Sequence, residues 1–117
     1  EIMGNWTATK VEYVSKAAPA TRVDVIALGT VVVVRFNTDH SLLYIETESA
    51  GSPVTTRGVW SLDEGLLRVT PSGMSLSWEW SAHLSGNTLT LSGADMEYDF
   101  DGNGFPEAAD QNMTLVR

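Results

Sequence analysis

At 117 residues the chain is one domain's worth, and 7 Lys and Arg against 15 Asp and Glu leave a formal net charge of −8. That balance argues against nucleic acid, whose affinity comes mainly from Lys and Arg on phosphates, and against an anionic membrane surface. The absence of cysteine excludes disulfides, thiolate zinc sites and cysteine nucleophiles together.

Helical periodicity is nearly absent, and strand periodicity runs the length of the chain. Glu1-Ile2-Met3 reads as a trimmed start, as left when an upstream export signal is removed. Asn5 to Ser15 reads as a first strand with a bulge, because its apolar phase shifts between Trp6/Ala8 and Val11/Tyr13. Arg22 to Phe36 is long and β-branched, and Gly29 bends it, bulges it or splits it in two. Its apolar stretch, Val25 to Phe36, falls far short of the ~20 residues a membrane span needs. Asn37-Thr38-Asp39-His40 is a turn, with His40 at a left-handed position, and Ser41 to Thr47 returns from it. Thr55 to Leu62 and Leu66 to Thr70 form a hairpin over Asp63-Glu64-Gly65. Met74 to Leu84 shows the cleanest alternation: Met74, Leu76, Trp78, Trp80, Ala82 and Leu84 share one face, expected to be buried, while Glu79 and His83 share the wet one. Thr88 to Ser92, Met96 to Asp101 and Asn112 to Arg117 complete the chain.

Short strands joined by short turns favour an up-and-down meander over a Greek key. The fold expected is all-β, a small antiparallel up-and-down barrel of about eight to nine strands occupying residues 1–117 as a single domain.

Four segments carry a family resemblance. Gly4-Asn5-Trp6 resembles the Gly-x-Trp of the first lipocalin strand, and Phe36-Asn37-Thr38-Asp39-His40-Ser41 resembles a Phe-Asn-x-Asp-Gly turn with His40 in place of Gly. Gly58-Val59-Trp60-Ser61-Leu62 with Leu66-Leu67-Arg68-Val69-Thr70 resembles a central hairpin, and Leu84-Ser85-Gly86-Asn87-Thr88-Leu89-Thr90-Leu91 a late one. In order and spacing the chain is similar to the lipocalin-like, calycin-type domains of bacterial exported proteins and lipoproteins. The resemblance implies an extracytoplasmic barrel in which Arg117 packs across the ring of Trp6. The chain departs from animal lipocalins in being short and in lacking a C-terminal helix signal.

Two candidate sites emerge. Asp99-Phe100-Asp101-Gly102-Asn103-Gly104-Phe105-Pro106-Glu107-Ala108-Ala109-Asp110 fits the calcium-loop spacing D-x-[DN]-x-[DN]-G, closed by Asp instead of Glu. Ca²⁺ takes oxygen ligands, which Asp99, Asp101, Asn103, the carbonyl of Phe105, Glu107 and Asp110 would supply. A solvated acidic turn is the plainer reading of the same residues. The second candidate is an apolar pocket lined by Trp78, Trp80, Trp60 and Tyr44, with Phe36 beside them. Small barrels also fill themselves with side chains, and Trp60 suits ordinary core as well. No P-loop, dinucleotide, Gly-x-Ser-x-Gly or histidine-rich metal motif is present, so no catalytic residues are assigned.

The leading expectation is a non-enzymatic, extracytoplasmic binding domain for a small apolar ligand, with calcium as the one cofactor indicated. A filled barrel serving as a structural or interaction module is the alternative. An enzyme comes third, and a buried carboxylate with a raised pKa in a cleft would revive it.

Overall fold

Period-two alternation becomes nine strands in a computed structural model that describes residues 2–117. They are β1 (Gly4–Ser15), β2 (Arg22–Asp24), β3 (Val31–Phe36), β4 (Ser41–Thr47), β5 (Val54–Asp63), β6 (Leu66–Pro71), β7 (Trp78–Ser85), β8 (Thr88–Tyr98) and β9 (Glu107–Val116). No helix occurs among the described residues. Eight strands pair antiparallel in the order β1-β3-β4-β5-β6-β7-β8-β9, and β9 pairs back onto β1 to close the barrel. β2 is the extra strand. It covers the upper half of β1 from Glu12↔Asp24 to Val14↔Arg22, whereas the lower half, Gly4 to Thr7, pairs with β3.

The bulge in β1 is where the apolar phase breaks, at a register shift between Ala8 and Lys10. Trp6 and Ala8 below it and Val11 above it are all buried. The Arg22–Phe36 run is split, with residues 25–29 turning on bonds such as Gly29 N–H to the Ile26 carbonyl, 3.0 Å. Two other expectations are corrected. Met74 and Leu76 are exposed, because β6 and β7 pair only from Leu66↔Ser81 to Val69↔Trp78 and residues 72–77 loop outward. Thr88–Ser92 and Met96–Asp101 are one strand ending at Tyr98, made continuous by a bulge between Leu91 and Ala94, and β9 begins at Glu107, not Asn112.

Tight turns gather at one end of the barrel and longer links at the other. At the tight end, Glu64 and Gly65 both have positive φ, 51° and 80°, as a type I′ hairpin needs. His40 sits at φ 68°, where Gly would be easier, and its ring stacks on Trp60 at 4.7 Å between centroids. Trp60 in turn meets Phe36 edge-on at 5.5 Å and donates its Nε1–H to the Asn37 carbonyl. Trp6, fully buried, donates to the Ile2 carbonyl at 2.7 Å. The guanidinium of Arg117 lies 4.5 Å from the centre of the Trp6 ring and donates to the Met3 carbonyl, as expected for this pair. At Gly58, an added Cβ would come within 2.5 Å of the Thr70 carbonyl oxygen, so β5 and β6 approach there only because the side chain is absent.

Candidate functional site

Inward-facing side chains change character along the barrel. In its middle, Val34, Leu42, Leu67, Val69, Leu91 and Met113 leave a void of about 20 Å³, bounded by apolar atoms. That is room for about one water. The lower barrel is therefore filled.

Above this core the same strands carry larger and more polar residues. Tyr13, Tyr44, Glu46, Thr56, Trp78, Trp80, Met96 and Gln111 surround a recess of about 170 Å³. A wider mouth of about 440 Å³ shares Tyr13 and Glu46 with it and adds Val25, Leu28, Thr30, Glu48 and Tyr98. The recess alone is smaller than the ~300 Å³ at which drug-sized ligand pockets begin, and the mouth lies within their range. Leu28, Val54, Met74, Leu76 and Phe105 are exposed on the links and strand ends at this end of the barrel.

Strand parity places these groups. Leu42, Tyr44 and Glu46 alternate on β4, and Gln111, Met113 and Leu115 on β9, so one carboxylate and one amide face inward above apolar layers. Trp78 and Trp80 meet edge-on at 6.4 Å, and Tyr13 stacks on Tyr98 at 4.7 Å. The Tyr13 hydroxyl accepts the Gln111 Nε2–H at 2.9 Å. Two buried atoms on these walls, Trp80 Nε1 and Gln111 Oε1, have no hydrogen-bond partner among the described residues. Burial, with the Glu48 charge second, raises the pKa of Glu46 above the ordinary carboxylate value. Burial also raises Tyr44 and Tyr13, keeping both as neutral hydroxyls.

Of the side chains expected at a pocket, Trp78, Trp80 and Tyr44 meet around the recess. Trp60 is elsewhere, stacked under His40 at the tight end. Tyr13, Glu46, Met96 and Gln111 were not anticipated. Glu46 was legible by alternation from Tyr44, whereas Gln111 lay outside the strand expected to begin at Asn112.

The acidic loop joins β8 to β9 beside the mouth, where Phe100 meets Tyr98 edge-on at 5.1 Å. Carboxylate oxygens of Asp99, Asp101 and Glu107 lie within 4.8 Å of one another. Asp99 accepts the N–H of Gly104 at 2.8 Å, and this bond first of all lowers its pKa. Asn103 accepts the N–H of Phe105 through its side-chain oxygen. The Phe105 side chain is exposed. Asp110 stands apart from the cluster in β9, opposite Asp95, where Lys16 pairs with both acids at 2.6 and 2.8 Å.

A scan against protein-family models finds no match to this chain, and a search of curated proteins likewise finds none.

Proposed function

We propose that this chain is a lipocalin-like, non-enzymatic, extracytoplasmic binding domain that takes a small apolar ligand into the open end of its barrel. The observation that carries the reading is the aromatic recess above a filled core, with Trp78, Trp80 and Tyr44 on its walls. Exposed Leu28 and Phe105 give the approach to it an apolar character. The lipocalin-like part of the proposal is supported by the closed eight-stranded meander and by Arg117 lying over Trp6. Its extracytoplasmic part rests on the resemblance to exported domains. Glu46 is the group an enzyme would use, yet no His, Lys or second carboxylate joins it on the recess wall.

Titration with the neutral fluorophore N-phenyl-1-naphthylamine, read by energy transfer from tryptophan, tests the reading. Saturable binding weakened by Trp78→Ala supports it. No saturable binding by this or other apolar probes would leave the filled-barrel interaction module.

A second reading concerns calcium. Asp99, Asp101 and Glu107 would repel one another without a cation, and their convergence favours a Ca²⁺ at the loop. With the Asn103 amide they offer four protein groups against the ~6–8 oxygens Ca²⁺ takes, so carbonyls and water would supply the rest. Such a site belongs with weak extracellular modules, at a Kd on the order of 0.1–1 mM.

A further inference from the structure

We infer that the ligand of this recess is an organic cation, a protonated amine on a small apolar body that also bears an oxygen acceptor. The inference rests on the binding reading above and adds the chemical class of the ligand.

Charge on the walls comes first. Among the described residues Glu46 is the one charged residue around the recess, and Glu48 is the only further one around the mouth. Neither set of walls contains Lys, Arg or His. Among the described residues no cation lies within ion-pair distance of Glu46. A half-buried carboxylate without a partner costs folding free energy, which a bound cation would offset. An anionic ligand would be repelled by both carboxylates.

The aromatic walls point the same way. Tyr13, Tyr44, Trp78 and Trp80 contribute four rings to a space of about 170 Å³. Ring faces carry negative potential, and attraction to a cation strengthens as water is excluded.

The two unpartnered polar atoms refine the class. Gln111 Oε1 is a buried acceptor, suited to an ammonium N–H. Trp80 Nε1 is a donor only, and calls for an oxygen on the ligand. Both residues line the recess that holds Glu46. Both atoms are closed to water in this structure, so a ligand that opens them by a small side-chain turn satisfies one acceptor, one donor and one charge.

Isothermal titration with three matched probes tests this: tyramine, neutral 4-ethylphenol and anionic 3-(4-hydroxyphenyl)propionate. Tyramine is expected to bind about tenfold or more tightly than 4-ethylphenol, since a charged hydrogen bond is worth at least that, and the anion weakest of all. Glu46→Gln should abolish the preference, so that tyramine and 4-ethylphenol bind that variant equally. This variant removes an unpaired charge without changing shape, and circular dichroism would verify its fold. Equal wild-type affinity for tyramine and 4-ethylphenol would overturn the cation inference and leave the apolar-ligand reading standing. A tyramine preference surviving in Glu46→Gln would overturn the role of Glu46. Failure of all three probes, together with failure of the neutral fluorophore, would overturn both readings.

Discussion

Arg117→Ala probes what holds the tight end of the barrel. Among the described residues Arg117 touches three places: its guanidinium covers the Trp6 ring at 4.5 Å, its Nη1 donates to the Met3 carbonyl at 3.2 Å, and its backbone N–H donates to the Asn87 carbonyl. Of these, the first two are lost in the variant. Cation–π contact over a ring that is itself fully buried is worth about 1 kcal/mol or somewhat more, between exposed and desolvated examples. The hydrogen bond adds ~1 kcal/mol. The expected loss is therefore about 2 kcal/mol. Unfolding entropy of ~2.1 cal/mol/K per residue over 117 residues gives ~250 cal/mol/K, so each kcal/mol moves Tm by about 4 °C. Arg117→Ala should lower Tm by about 8 °C in a reversible thermal melt followed by circular dichroism. Arg117→Lys keeps the charge but loses the planar face, and should fall between wild type and the Ala variant. If both variants melt with wild type, the guanidinium does not hold this end together and the reasoning fails.

Gly58→Ala should cost about 1–3 kcal/mol in chemical denaturation, because its methyl would press on the Thr70 carbonyl and prise β5 from β6. Glu46→Gln should raise Tm at neutral pH and change it little below the unfolded carboxylate pKa of about 4.3. A raised folded pKa means that stability present at low pH is lost as pH climbs through it, so a pH series of melts reads the sign. If calcium binds the acidic loop with Kd near 1 mM, a tenfold excess should add ~1.4 kcal/mol, or about 6 °C over chelator, and Asp101→Ala should abolish that gain.

Where alternation ran against the same neighbours throughout, the sequence was sufficient. The β1 bulge showed as a phase break between Ala8 and Val11, and the hairpin over Glu64-Gly65 as turn chemistry between two apolar runs. What misled was alternation without a partner. Met74 and Leu76 continue the pattern of Trp78 and Trp80, but pairing with β6 stops at Val69↔Trp78, and pattern alone does not mark where a ladder ends. The calcium spacing misled in a similar way at its end. Asp110 occupies the closing position in sequence, yet a strand starting at Glu107 carries it away to Lys16. Trp60 and Trp80 look alike as aromatic residues on strands, and only the register tells which end of the barrel each one meets.

The distribution of favourable and unfavourable features along the barrel is itself informative. At the tight end every identified device is satisfied: indole N–H groups of Trp6 and Trp60 reach carbonyls, and His40 rests on a ring. At the open end the same sequence leaves an indole N–H and an amide oxygen unmatched, holds a carboxylate at a raised pKa and exposes Leu28 and Phe105. Each unmatched buried group costs about 1–3 kcal/mol, a large share of the ~5–15 kcal/mol that stabilises a domain. An apolar residue at position 46 would remove an unpaired carboxylate without altering the strand pattern, and the filled core below would support it. Gln111 at least holds the Tyr13 hydroxyl, but folding alone gives no reason to keep Glu46 facing inward. Departures from an otherwise consistent design concentrate where a molecule must do something besides fold. Here three of them, Glu46, Trp80 and Gln111, come from β4, β7 and β9 to the walls of one recess.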